Sequence, residues 1–201
     1  DPDVIMVGEI RDGETAKTAV ESSLTGHMVF STLHTNNAAG AVPRLIDLGV
    51  NPKILASALS MSIAQRLTRK LCTHCKTKRE VTADEEETIR KTLERAERLG
   101  KVLKDYGVTS KQKIELWTAP GCEKCNGIGY KGRIGVFEAI LATEEIQAIM
   151  PNNPSENEIK QIAEKQGILN MVEDGFVKCM TGITSIEELK KVVDIYEYID
   201  M

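Results

Sequence analysis

The chain has 201 residues, a formal net charge of −4, 41% hydrophobic residues and only 4% aromatics. That length and apolar content suit one or two small cored domains and exclude a disordered tail. The acidic balance and scarce aromatics argue against a nucleic-acid binder that relies on a basic face or on base stacking. No apolar run reaches the roughly 20 residues of a membrane span.

Residues 1–70 alternate strand and helix. Val4-Ile5-Met6-Val7 reads as a short strand buried on both faces, as parallel sheets require. It delivers Glu9 and Arg11 at its carboxyl end. Asp12 is placed to cap a helix over about 13–25, with Ala16, Ala19, Val20 and Leu24 at helical spacing and Gly26 as its stop. Met28–Leu33 returns as a second strand. Asn36 and Asn37 can open a helix toward Leu48, with Pro43 forcing a kink or marking a restart at its first turn. Asn51-Pro52 opens another, for which Ile54, Leu55, Ala58, Leu59, Ser62, Ile63 and Leu67 predict one continuous apolar side. Strand, helix, strand, helix implies a right-handed parallel crossover.

Residues 71–131 hold two cysteine pairs around a charged insert. Thr82-x-x-Glu85 has the form of a capping box. Ile89, Leu93, Ala96, Leu99, Leu103 and Tyr106 predict one amphipathic helix after it. Its mixed charges read as a solvated face. Residues 132–201 begin with a strand over Ile134–Ile140 and continue as short helices. Ser155-x-x-Glu158 and Ser185-x-x-Glu188 are two further capping boxes.

Cys72-x-x-Cys75 and Cys122-x-x-Cys125 have the spacing of two metal knuckles. Each two-residue gap lets both thiolates of a pair point at one ion, and four thiolates complete a tetrahedron with no open position. The expected ion is a structural zinc, closing a loop in which 46 residues separate Cys75 from Cys122. His74, between two ligands, reads as solvent-facing or as a support to them. Cys179 reads as a buried helix residue. Cys122-x-x-Cys125-x-Gly127-x-Gly129 also resembles the cysteine-rich unit of Hsp40 co-chaperones, but that family repeats the unit and this chain carries it once. A zinc-stabilised adaptor or chaperone-like module without nucleotide chemistry is therefore the alternative function.

Glu9 and His34 stand after consecutive strands, where ligands gather in open α/β sheets. A carboxylate there can serve the water shell of a Mg-nucleotide or orient the attacking water, and a histidine can contact a terminal phosphate. His27, just before the second strand, is a further candidate. No G-x-x-x-x-G-K-[ST] phosphate loop occurs in the chain. Gly13-x-x-x-Lys17-Thr18 misses it, with Ala16 where its second glycine should be.

Three stretches taken together are similar to one family. They are DPDVIMVGEIRD from Asp1 to Asp12, LTGHMVFSTLHT from Leu24 to Thr35, and AQRLTRKLC from Ala64 to Cys72. The likeness runs on through Gly129–Glu138 to Thr181-Gly-Ile-Thr-Ser185. It identifies the chain as resembling the GspE/PilB-type traffic ATPases of type II secretion and type IV pilus assembly.

The resemblance implies an α/β fold: part of a RecA-like P-loop NTPase core over residues 1–70, a tetracysteine zinc subdomain over 71–131, and a returning strand with a C-terminal helical subdomain over 132–201. It places Glu9 in a Walker B segment and His34, with His27, in a histidine box, and Arg11 is counted with these three among the expected catalytic residues. It assigns zinc to Cys72, Cys75, Cys122 and Cys125, which favours an assembly-type motor over a retraction-type one. It implies Mg-ATP as cofactor, a hexamer, contact with an inner-membrane platform and other secretion or pilus proteins, and a cytoplasmic place peripheral to that membrane. The motor would drive pseudopilin or pilin assembly and protein export, with no nucleic acid and no direct membrane insertion. The phosphate loop of that family precedes Walker B. The chain therefore reads as the C-terminal half of a motor, expected to be inactive alone.

Overall fold

Cap chemistry and strand pairing explain the first elements. The structure, a computed structural model, describes residues 2–196. Asp1 of the opening stretch and residues 197–201 lie outside the described residues. Strand β1 (Val4–Met6) leads into helix α1 (Gly13–Leu24), where the Asp12 side chain accepts the Thr15 backbone N–H. Gly26, at φ +100°, turns the chain into β2 (Met28–Phe30). β1 and β2 are parallel, with Val4 opposite Met28 and Met6 opposite Phe30. Pairing continues past the strands: Val7 N–H donates to Phe30, Ile10 N–H donates to Thr32, and the Thr32 hydroxyl donates to the Gly8 carbonyl at 2.8 Å.

The parallel pairing matches expectation; burial on both faces does not. Val4, Met6, Met28 and Phe30 are 56%, 81%, 53% and 56% exposed. Ile5 is half-buried, and Val29 packs toward the core with Val7 and Leu33. Among the described residues the pair has only two strands, and nothing lies over its other face.

Helix α2 (Ala41–Asp47) starts later than Asn36 and takes Pro43 into its first turn, where its missing N–H costs nothing. Asn37 accepts the Gly40 N–H just before it. Helix α3 (Pro52–Ala58) ends at Leu59, which is extended at ψ 124°. The expected continuation through Leu67 is instead strand β3 (Met61–Leu71). Leu55, Leu59, Ile63 and Leu67 are four apart, a spacing that suits both helix and strand periods. The residues between them decide: Ala64 and Thr68 are buried while Met61, Ile63 and Leu67 face outward.

Beyond the first cysteine pair, β4 (Thr77–Arg79) leads to α4 (Ala83–Arg98), whose Thr82/Glu85 capping box is fully formed. Ile89, Leu93 and Ala96 on one side of α4 are completely buried. Each large side chain so removed from water contributes about 1.5–3 kcal/mol. The helix stops at Gly100 (φ +81°), so Leu103 and Tyr106 belong to a separate 3-10 turn rather than to α4. β5 (Leu116–Thr118) pairs antiparallel with β4.

β6 (Tyr130–Leu141) pairs with β3. The two run oppositely, since Ala142 N–H donates to Ser60 at one end and Cys72 N–H to Gly129 at the other. Then follow α5 (Glu144–Ile149), α6 (Glu156–Ala163), α7 (Met171–Met180) and α8 (Ile186–Leu189). The Ser155/Glu158 box forms as expected. The Ser185/Glu188 box is only half made: Ser185 accepts the Glu188 N–H, while the Glu188 carboxylate turns to Arg69 and Lys191.

The chain divides into two compact units, Asp1–Ala64 with Ala139–Ile168, and Gln65–Glu138 with Leu169–Met201. The divisions fall inside β3, inside β6 and between Ile168 and Leu169, just before α7. The first unit is cored by Ala16, Ala19 and Val20 of α1 with Val42, Leu45, Leu55, Ile146, Met150 and Ile159. In the second, Ile89, Leu93, Leu116, Val172, Phe176, Ile186 and Leu189 are buried. No helix of the described residues is long and apolar enough to cross a membrane.

Candidate functional site

In the first unit, alternation along the chain after β1 sorts three neighbours. Ile10 is buried and anchors the segment, so Glu9 and Arg11 on either side of it face outward. The Arg11 guanidinium lies 2.6 Å from Glu9 Oε2, and His34 Nε2, from the segment after β2, meets Glu9 Oε1. The Thr32–Gly8 hydrogen bond ties the two segments together next to Glu9 in the chain. The Glu9 side chain is 22% exposed, against 74% for Arg11 and 80% for His34. The hydrogen bond from Arg11 holds the Glu9 carboxyl below its ordinary range against desolvation, and the charge of Arg11 and contact with His34 add to the effect. Such a group is an anion at neutral pH with two cationic or hydrogen-bonding neighbours. It can accept a proton from water or hold the hydration shell of a cation.

His27 is elsewhere. It stands at the amino end of β2, whereas Glu9 and His34 follow the carboxyl ends of the parallel pair. Its Nδ1 lies 3.0 Å from the Ser22 carbonyl and 3.2 Å from the Thr25 hydroxyl, at the end of α1. The structure thus brings Glu9, Arg11 and His34 together and leaves His27 at the opposite strand end.

In the second unit the four knuckle cysteines converge, with all four sulfurs within 4.8 Å of one another. Cys72–Cys122 and Cys75–Cys125 are 3.9 Å apart and Cys122–Cys125 3.7 Å. A tetrahedral tetrathiolate with metal–sulfur bonds of about 2.3 Å requires sulfur separations of about 3.8 Å. The donor set therefore fits one four-coordinate metal ion.

Two glycines make the second knuckle possible. A Cβ on Gly121 (φ +105°) would stand 2.2 Å from the Gly127 carbonyl oxygen, and one on Gly129 (φ +79°) 2.2 Å from that of Ala119. The close turn aims backbone N–H groups of Cys122 and Gly129 at the Cys125 sulfur, at 3.1 and 3.2 Å. Desolvation works against the Cys125 thiolate, but these N–H donors bring its pKa down, whereas burial pushes Cys75 up. His74 is exposed and outside the cluster. Cys179 is fully buried in α7, where loss of hydration pushes its thiol up and keeps it unreactive.

Several charged groups that support this unit are not apparent from the sequence. Lys101 Nζ reaches both carboxylate oxygens of Glu173, at 3.0 and 2.7 Å, with each side chain 1% exposed. Glu173 also closes a capping box with Asn170, and the pattern Asn170-x-x-Glu173 was there to be found. Arg69 grips Glu188 with two bonds of 2.7 and 2.6 Å and stacks 4.3 Å from the Tyr130 ring. The loop after α7 is stitched to the first knuckle. Leu71 N–H donates to Ile183, Lys76 Nζ donates to the Gly182 carbonyl at 2.7 Å, and Trp117 Nε1 donates to Met180 at 3.3 Å.

The fold class comes first from solved structures. The chain shares the α/β fold of the pilus retraction motor PilT determined with bound ADP (TM-score 0.60, 24% identity, all of this chain and 43% of that one). It also shares that of the Legionella pneumophila ATPase DotB (TM-score 0.56, 22% identity, 96% and 38%). The family follows from sequence. The profile of the "Type II/IV secretion system protein" family matches residues 1–191, and the chain belongs to that family. The type IV pilus assembly ATPase PilB of Thermus thermophilus is 44% identical over 94% of this chain and 20% of its own length. The type II secretion system ATPase E of Vibrio cholerae is 42% identical over 96% of this chain and 35% of its own. The chain thus spans a fifth to about a third of the curated relatives it matches.

Proposed function

We propose that these residues are the hydrolytic and metal-fastened portion of a hexameric secretion or pilus-assembly motor that turns over ATP at the inner membrane. The observation that carries this reading is the contact of Glu9 with Arg11 and His34 after two parallel strands of a chain in this family. In a RecA-like core, Glu9 would be the Walker B acid that orients the attacking water and serves the hydrated Mg²⁺. His34 would sense the terminal phosphate, and Arg11 would hold Glu9 ionised and in place. His27, at the far strand end, is left out of phosphate contact within one chain. Phosphoryl transfer of this kind needs positioning and charge stabilisation rather than covalent chemistry.

The reading also requires phosphate-cradling amides, and these 201 residues contain no phosphate loop. The chain by itself should therefore bind and hydrolyse ATP at the assay background. In the longest native chain carrying these residues, Glu9→Gln should lower ATP turnover by about 10²–10⁴-fold with nucleotide binding retained, as loss of a general base does. Unchanged turnover would overturn the assignment. The partners implied are other copies of the chain, a platform protein at the inner membrane, and the pilin-like subunits it would help assemble.

For the cysteine cluster, the proposed ion is zinc. Its role is structural, because all four positions are thiolates and none is left for water. Cys72, Cys75, Cys122 and Cys125 would hold it and supply the charge that balances it. The ion would contribute folding energy to the second unit and no step of catalysis.

A further inference from the structure

The second knuckle contains the single Asn-Gly dipeptide of the chain, Asn126-Gly127, next to a cluster ligand. Both residues are exposed and left-handed, Asn126 at φ 53° and ψ 39° and Gly127 at φ 75°. Asn-Gly is the sequence most open to deamidation, because no side chain on the second residue hinders approach of its backbone nitrogen to the asparagine amide carbon. Here the turn works against that approach. The Gly127 N–H is committed to the Cys122 carbonyl at 2.9 Å, and Asn126 donates its own N–H to Glu123. These bonds close the same turn that brings the Cys122 and Cys125 sulfurs to 3.7 Å.

We infer that Asn126 is a modification site gated by the metal: it is preserved in the loaded knuckle and converted to aspartyl and isoaspartyl products when the ion is lost. The inference rests on the cysteine cluster holding a metal, as proposed above. In the opened loop the Gly127 nitrogen loses its proton to water and attacks Asn126 Cγ. The N–Cγ bond forms, the Cγ–Nδ2 bond breaks, and ammonia leaves. Water then opens the succinimide at either carbonyl, leaving an aspartyl residue or its isoaspartyl isomer at that position.

The isomer inserts one extra backbone carbon between Cys125 and Gly129. That displaces the Ile128 N–H from the Cys125 carbonyl and the Gly129 N–H from the Cys125 sulfur, which are 3.1 and 3.2 Å apart in the intact turn. A knuckle so altered no longer presents its sulfurs at tetrahedral spacing. Metal loss would thereby become irreversible with time.

The test compares the 201-residue chain loaded with zinc and stripped by a chelator, both incubated at mildly alkaline pH. Peptide mapping by mass spectrometry follows all eight asparagines, and zinc is then returned and its stoichiometry measured. Conversion at Asn126 should be slower in the loaded sample by about tenfold or more, as protection from local opening requires. The other asparagines should change little in either. The stripped sample should lose zinc-binding capacity in step with isoaspartate formation. The variant Asn126→Gly, which suits the left-handed turn and cannot deamidate, should keep that capacity through the same incubation. Equal rates with and without zinc, or lost capacity in Asn126→Gly, would overturn the inference. Failure of the fresh chain to bind zinc would instead refute the metal assignment on which it rests.

Discussion

Ionic grips on the buried carboxylates of the second unit set its most sensitive residues. Glu188 is held by Arg69 first and Lys191 second, which pulls its carboxyl from the ordinary 4.5 down to about 2. A carboxyl depressed on folding stabilises the native state fully above its unfolded value, and that contribution is lost as pH falls through the folded one. Glu188→Gln should therefore cost about 1.5–3 kcal/mol in urea unfolding at neutral pH. The gap to the parent should narrow between pH 4.5 and about 2. Lys101 is a harsher case, because Glu173 opposite it is 1% exposed. Lys101→Met leaves a buried carboxylate without its partner, and about 3–5 kcal/mol should be lost. Replacing both residues by apolar ones of similar volume should recover most of it, less about 1 kcal/mol for the bond that Glu173 accepts from the Asn170 N–H. If the double variant is no more stable than the single one in urea melts, the pair matters for something other than charge compensation.

Among the elements, the knuckle and the loop after α7 behave as one piece. Lys76 donates to Gly182 and lies 4.9 Å from the face of Trp117, whose own N–H reaches Met180. Trp117 is the only tryptophan, so its emission reports this junction alone. Removing the metal, or Cys125→Ser, should shift that emission to the red and raise amide exchange over residues 169–189. Exchange in α1 and α3 should be unchanged.

What could be read in the sequence was whatever local chemistry dictates. Asp12, Thr82 and Ser155 cap their helices because a short polar side chain can satisfy an orphan N–H whatever lies beyond. The cysteine spacing forecast convergence of the four sulfurs because each two-residue gap sets a pair locally and one ion takes four such ligands. The misreadings came where distant partners decide. Met61–Leu71 is a strand because β6, some seventy residues on, pairs with it. Glu188 leaves its capping box for an arginine 119 residues away. Glu9 and His34 could be foreseen as neighbours from the parallel strand order. The fold-back of Arg11 onto Glu9, and the remote position of His27, needed the backbone.

At the scale of the whole molecule, the chain makes an excursion from the first unit, leaving within β3 and returning within β6, and leaves it again after Ile168. The four-cysteine cluster lies wholly in the excursion. Chelation should therefore split thermal unfolding into two steps, lowering the midpoint of the second unit while that of the first stays fixed. A single transition moving as a whole under chelator would show that the two units unfold cooperatively.

The bare side of β1 and β2 governs how such a chain behaves at the bench. Val4, Met6, Met28 and Phe30 form an oily strip on a two-stranded ribbon whose outer edges have no strand beside them among the described residues. Unprotected edges with apolar side chains recruit like edges. Preparations should stay clear when dilute and cloud on concentration, and a lysine in place of Met6, pointing where that thioether meets water, should postpone the haze without touching either fold unit.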